Sequence, residues 1–166
     1  MIDLQFQSGL ILDSEDVATI AAELRSAGRT VVFTNGCFDL LHGGHVDYLQ
    51  RAKALGDFLI VGLNGDGSVR QLKGPDRPIV SESDRAQVLA ALRAVDVVVI
   101  FPDLTAEALV AAIQPAIYVK GGDWGAGQKT APEVVVVEAY GGQVVYLPYL
   151  PGRSTSEIIT QIRARY

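Results

Sequence analysis

Apolar residues fall along this chain in two alternating kinds of stretch. Short runs rich in Val, Ile and Leu recur at residues 30–34, 58–64, 95–101, 117–120 and 143–147. They are continuous rather than alternating, the pattern of parallel strands covered on both faces. Between them, residues 45–55, 82–92 and 105–113 repeat their apolar positions with helical spacing, and Pro115 ends the last. A helix precedes the first run: Asp13 or Ser14 caps it, Val17, Ile20, Ala21 and Leu24 share one face, and Gly28 stops it. The dozen residues before it read as irregular. Residues 133–139, Glu-Val-Val-Val-Val-Glu-Ala, are strand-like by β-branching. Their place between two strands and the following Gly141-Gly142 favour a crossover helix. Ser154 or Thr155 opens a last helix through about Arg163. The pattern predicts a single-domain, Rossmann-like α/β fold with a five-stranded parallel sheet flanked by helices.

Composition narrows the function classes. The formal net charge is −5, which argues against nucleic acid, because binding to that polyanion rests on clustered Lys and Arg. A few basic residues converging on one pocket still suit a nucleotide. Cys37 is the single cysteine, so no intramolecular disulfide forms and a reducing, cytoplasmic setting is expected. No apolar run reaches the roughly 20 residues of a membrane span.

The chemistry concentrates after the first predicted strand. That strand ends at Thr34, and the glycine-bearing turn should place Thr34, Asn35, Gly36 and Phe38 at the carboxyl edge where open α/β sheets bind ligands. His42-Gly43-Gly44-His45 holds both histidines of the chain. Three residues apart at a helix start, they share a face, where amides and dipole favour phosphate. Gly44 allows close backbone approach. A metal pair with Asp39 as third ligand is the rival reading, and two ligand-free capping histidines are the bland one. Cys37 lacks a base and reads as a small half-buried residue. Gly62, Gly65 and Gly67 miss the spacing of a dinucleotide fingerprint.

Residues 34–42, Thr-Asn-Gly-Cys-Phe-Asp-Leu-Leu-His, with His42-Gly43-Gly44-His45, Asp84-Arg85, residues 119–123 and the late Ser154-Thr155-Ser156, resemble the cytidylyltransferase-like branch of the HxGH nucleotidyltransferases. The likeness runs from about residue 29 to 163 and is strongest to the adenylyltransferases of ADP-heptose synthesis. It implies a nucleotidyltransferase domain over 29–166, preceded by an extension and helix over 1–28. A chain of this length has no room for a fused sugar kinase, so the stand-alone form is expected.

The resemblance implies transfer of AMP from ATP to a sugar 1-phosphate, D-glycero-β-D-manno-heptose 1-phosphate, with release of pyrophosphate, for lipopolysaccharide-type glycan synthesis. Mg²⁺ would accompany the nucleotide, and a homodimer is expected. A cytidylyltransferase acting on glycerol 3-phosphate is the alternative. His42, His45 and Lys73 take the catalytic roles, with Lys73 in a long loop after the second strand. Thr34, Asn35, Gly36, Phe38, Asp39, Gly44, Arg85, Lys120, Gly121, Asp123, Arg153, Ser154, Thr155 and Ser156 are expected around the nucleotide and acceptor. Asp66 is expected at the acceptor or as a turn cap. No protein-held metal is implied. Trp124 and residues 125–131 depart from the usual family pattern. So does the stretch 148–151, where related cytidylyltransferases carry an arginine, which weakens the cytidine alternative.

Overall fold

The Val, Ile and Leu runs pair side by side as a parallel sheet in the computed structural model, which describes residues 9–122 and 131–166. The elements follow the order β1 (Leu10–Leu12), α1 (Ser14–Ser26), β2 (Val31–Gly36), α2 (Gly43–Lys53), β3 (Phe58–Asn64), α3 (Asp66–Lys73) and α4 (Glu82–Ala90). Then come β4 (Val97–Phe101), α5 (Glu107–Ile113), β5 (Ile117–Gly121), α6 (Pro132–Ala139), β6 (Gln143–Leu147) and α7 (Thr155–Arg165). The sheet order is β1-β4-β3-β2-β5-β6, parallel at every pairing.

Successive strand residues enter two cores, as the pleat requires. Val31, Phe33, Phe58, Ile60, Val97 and Val99 face α1, α5 and α6. Val32, Leu59, Val61, Leu63 and Val98 face α2 and α4, against Tyr48, Leu49, Ala52, Ala86 and Leu89. The β-branched segment of α6 is helical because this crossover must cover the sheet: Val134 and Val137 are buried, and Pro132 opens its first turn.

Two expectations need correction. The sheet has six strands, not five. Leu10–Leu12, expected to be irregular, forms β1 at the edge beside β4, with the Gly9 and Leu10 amides donating to the Asp96 carbonyl. Three residues carry too little periodicity to register as a strand, and pairing with β4 decides their conformation. The loop expected to hold Lys73 is helix α3 over most of its length. Only Ser68 and Val69 of α3 are buried, so no apolar stripe announces it, and its first amide is held by Glu82 Oε2 from α4 at 2.6 Å.

The chain leaves β2 toward β3 on one side and later returns to place β5 on the other. A crevice opens at the carboxyl ends of strands where the winding reverses in this way. The chemistry-bearing residues gather there.

Candidate active site

The turn after β2 is shaped to present the start of α2. Phe38 adopts φ +44°, the left-handed region that non-glycine residues rarely enter, and its ring lies edge-on to His45 at 5.3 Å. A Cβ at Gly36 would come within 3.0 Å of that ring. His42 is the N-cap of α2: its Nδ1 accepts the Gly44 amide at 3.2 Å. That bond leaves the proton of the neutral imidazole on Nε2, so His42 offers a donor outward. The His42 and His45 rings stack with centroids 3.9 Å apart. A Cβ at Gly44 would lie 3.0 Å from the His42 ring, and one at Gly43 would lie 3.0 Å from the Arg153 guanidinium. Glycine at both positions lets ring and arginine close over the helix start.

Burial, and then the neighbouring His42, pull the His45 imidazole down to about 4. Its Nδ1 is buried without a hydrogen-bond partner among the described residues. Burial and the Arg153 charge also lower His42, with Glu157 opposing. Both rings are therefore neutral donors at pH 7, facing a cavity of about 540 Å³ whose walls include Lys73, Arg77, Lys120 and Arg153. Such a cavity suits a polyanion.

Asp39 lies on the cavity wall but turns away from it. Its carboxylate pairs with Arg77 and accepts the Ile79 and Val80 amides at 2.8 and 3.0 Å. Burial opposes the charge, yet the amides of Val80 and Ile79 and the guanidinium together hold the carboxyl below its usual range. The third ligand of the rival metal-pair reading is thus committed to residues 77–80.

The opposite wall comes from β5, α6 and α7. Lys120 lies 3.7 Å from Glu133, which is buried on α6. Tyr149 rests on the backbone of Gly121 and Gly122, where a Cβ would meet its ring at 2.5 and 2.7 Å. Ser154 caps α7 by accepting the Glu157 amide at 3.1 Å and donating to the Glu157 carboxylate at 3.0 Å. Thr155 Oγ1 donates to the Leu40 carbonyl at 3.2 Å, tying α7 to the turn before His42.

Asn35, Gly36, Phe38, Asp39, His42, Gly44, His45, Lys73, Lys120, Gly121, Arg153, Ser154, Thr155 and Ser156 all line this one cavity. Two expected contacts do not. Thr34 is fully buried, and its hydroxyl pairs with Tyr48 at 2.7 Å, while Tyr48 donates to the Val119 carbonyl at 3.1 Å. Arg85 is 1% exposed and holds the carbonyls of Val80, Cys37 and Asn64. Its ion pair is with Asp66 at 2.7 Å rather than the adjacent Asp84. Arg85 shapes the wall from behind. Asp123 and Trp124 lie outside the described residues. Arg77 and Glu133 join the cavity without having been singled out for it. A buried lysine needs a counter-charge, and that need, applied to Lys120, was the available signal for Glu133.

A family model described as Cytidylyltransferase-like matches residues 33–161. The chain is 50% identical over 160 residues to the bifunctional protein HldE of Trichlorobacter lovleyi, covering 94% of this chain and 31% of that protein. It is 49% identical over 167 residues to the bifunctional protein HldE of Syntrophotalea carbinolica, covering 98% of this chain and 33% of that one. The chain thus spans about a third of the length of these relatives. Among solved structures, the lipopolysaccharide core biosynthesis protein from Thermoplasma volcanium superposes with a TM-score of 0.60 at 28% identity. That match covers 74% of this chain and 98% of the other. With paired imidazoles at a helix start, a sheet reversing beside them and a family match across both, the chain belongs to the cytidylyltransferase-like family.

Proposed function

We propose that this chain transfers AMP from ATP to a sugar 1-phosphate, D-glycero-β-D-manno-heptose 1-phosphate, releasing pyrophosphate and forming ADP-heptose. The observation that carries the reading is the stacked, neutral imidazole pair at the start of α2, facing a cavity walled by four cationic side chains.

A phosphate monoester has its second pKa near 6, so at neutral pH the acceptor is already an anionic nucleophile and needs no general base. Its oxygen bonds to the α-phosphorus as the bond from that phosphorus to the bridging oxygen breaks, and pyrophosphate carries the electron pair away. The protein's work is alignment and charge stabilisation. His42 Nε2–H and an N–H of His45 donate to α-phosphate oxygens, where negative charge grows. Lys73 and Arg153 neutralise the leaving pyrophosphate, supported by the free amides at the start of α7. Lys120 lies on the acceptor side.

The divalent cation, Mg²⁺, enters as part of the nucleotide substrate. Among the described residues, the cavity carboxylates are engaged elsewhere: Asp39 with Arg77 and two amides, Glu133 with the Ala106 amide and Lys120. That donor set fits a cation carried on phosphate oxygens and water.

Pyrophosphate release tests the reading, with ATP, CTP, GTP or UTP offered alongside the heptose phosphate or glycerol 3-phosphate. Turnover with ATP and the sugar phosphate is expected. Turnover with CTP and glycerol 3-phosphate transfers the mechanism to the other substrate pair, and no release with any pair removes the catalytic reading.

A further inference from the structure

At one end of the cavity lining, polar groups on α6, β5 and β2 form a chain of hydrogen bonds and one ion pair. Glu133 is 3% exposed; its Oε1 accepts the Ala106 amide at 2.9 Å and its Oε2 lies 3.7 Å from Lys120 Nζ. Lys120 Nζ donates to Tyr118 Oη at 3.1 Å, and Tyr118 Oη donates to Asn35 Oδ1 at 2.7 Å. An ammonium has donors only, so the phenol accepts from it and keeps its own proton to give. The Glu133 carboxylate and Asn35 Oδ1 are both within reach of that proton; given to Asn35 at 2.7 Å, it holds the amide with its carbonyl oxygen toward the phenol. The Asn35 NH₂ is the group left to meet a ligand in the cavity that Asn35 lines.

We propose that Glu133, Lys120 and Tyr118 are positioning residues that lock the Asn35 amide as a hydrogen-bond donor, so that this end of the cavity selects a phosphate oxygen of the bound substrate. Naming that oxygen as the substrate's rests on the nucleotidyl-transfer reading; the relay itself rests on the four side chains.

Direction matters because a neutral lysine amine can accept. If Lys120 lost its proton, Tyr118 could donate back to it, and the Asn35 amide would be free to turn its carbonyl oxygen toward the phosphate, which repels it. Burial pulls the Lys120 ammonium below its usual range, and the Glu133 carboxylate pushes it back up. Among the described residues, the groups facing this relay are Glu133 from α6, Tyr118 on β5, Tyr48 from α2 and Tyr146 from β6. Burial, then the Glu133 charge, push the Tyr118 phenol far up, so it stays protonated at working pH. A buried ion pair is by itself weak evidence of a stabilising role, which leaves a positioning role to account for this one.

The test uses the full chain with two variants. Tyr118→Phe keeps both charges and releases Asn35; losing one oriented hydrogen bond is expected to raise KM about tenfold, with a smaller change in kcat. Glu133→Gln is expected to move the alkaline limb of the kcat/KM profile to lower pH and to lower the Lys120 titration midpoint read by NMR of labelled lysine. Isothermal titration with Mg-ATP and with inorganic pyrophosphate gives affinities without turnover. If the wild type binds but releases no pyrophosphate, the functional reading fails while weaker binding by Tyr118→Phe and the shifted lysine still support the relay. A Tyr118→Phe protein with wild-type affinity overturns it. So does a Glu133→Gln protein whose Lys120 titrates where it does in the wild type.

Discussion

His42 caps α2 through Nδ1 and faces the cavity with the rest of its ring, so one substitution can remove two things at once. The two are separable. Asn is as good an N-cap as any residue, whereas Ala is among the poorest. His42→Asn is therefore expected to keep the melting temperature and lose turnover by about 100-fold, the scale for removing one transition-state donor. His42→Ala should show the same loss of turnover plus about 1 kcal/mol of stability. Equal turnover in His42→Asn and wild type would leave the imidazole with no chemical role. His45 makes a pH prediction. Its folded pKa, about 4, lies below the unfolded value of 6.5, so between those limits the unfolded chain binds more protons. Stability linked to this ring is fully present above 6.5 and declines as pH falls toward 4. Melting curves of wild type and His45→Gln should run parallel above pH 7 and converge or cross below 6, with the wild type falling more steeply. Parallel curves throughout would place the ring in a wetter setting than its burial implies.

Residues 77–80 form an element of the site although they belong to no helix or strand. Asp39 holds them from the turn after β2 by one ion pair and two backbone amides, and Arg85 grips the Val80 carbonyl from beneath. Removing one partner of a buried pair typically costs about 3 kcal/mol. Asp39→Asn should thus lower the melting temperature by roughly 6–12 °C for a domain of this size. It should also raise the nucleotide KM, since Arg77 then loses its anchor at the cavity wall; a shift under 2 °C would show that the loop holds itself. This element also marks where sequence reading stops. Strands β2–β6 and the start of α2 were legible because their signals are local: runs of Val and Ile, two histidines, glycines where ring and arginine close in. The partners of Asp39, and those of Arg85 other than Val80, lie 19 or more residues away, and no local pattern encodes such a pairing. Arg85 therefore read as a residue around the nucleotide and acceptor, whereas the structure holds its guanidinium against carbonyls and Asp66 behind the cavity wall. Helix α3 escaped notice for a related reason. Its stability comes from Glu82 at its first amide and burial of Val69, not from an apolar stripe of its own. At α7 the local signal was right about the cap and less specific about its use. The Ser154 and Thr155 hydroxyls are engaged with Glu157 and Leu40, which leaves Ser156 and the free amides to face a phosphate.

Across the whole molecule, a formal charge of −5 surrounds one cavity whose walls carry Lys73, Arg77, Lys120 and Arg153. The net field repels a polyphosphate at long range while the cavity attracts it at short range, and screening in physiological salt confines both effects to about 8 Å. Affinity therefore depends on residues that meet the ligand directly. Those residues sit on both sides of the reversal in sheet winding, with β2 and α2 on one side and β5, α6 and α7 on the other. Besides the pairing of β2 with β5, described contacts between the two sides include Tyr48 to the Val119 carbonyl, Tyr118 to Asn35, Thr155 to Leu40, and Arg51 to the Pro148 carbonyl at 2.7 Å. On the proposed reading the nucleotide contacts both halves, and any ligand of the folded state stabilises it by mass action. At a hundred times Kd that contribution is about 2.7 kcal/mol, or roughly 5–10 °C in melting temperature. Mg-ATP in thermal-shift measurements should produce this rise. Arg153→Ala, which removes an exposed charge contacting the first turn of α2, should reduce it while leaving the ligand-free melting temperature within about 1 °C. An equal rise in Arg153→Ala and wild type would move the polyphosphate away from the α2–α7 mouth, toward Lys73 and Lys120. No rise in the wild type at millimolar Mg-ATP would mean that the folded cavity does not hold the nucleotide at that concentration, whatever the rigidity of the two halves. Pyrophosphate release under the same conditions checks that outcome, because only a protein that binds the nucleotide can turn it over.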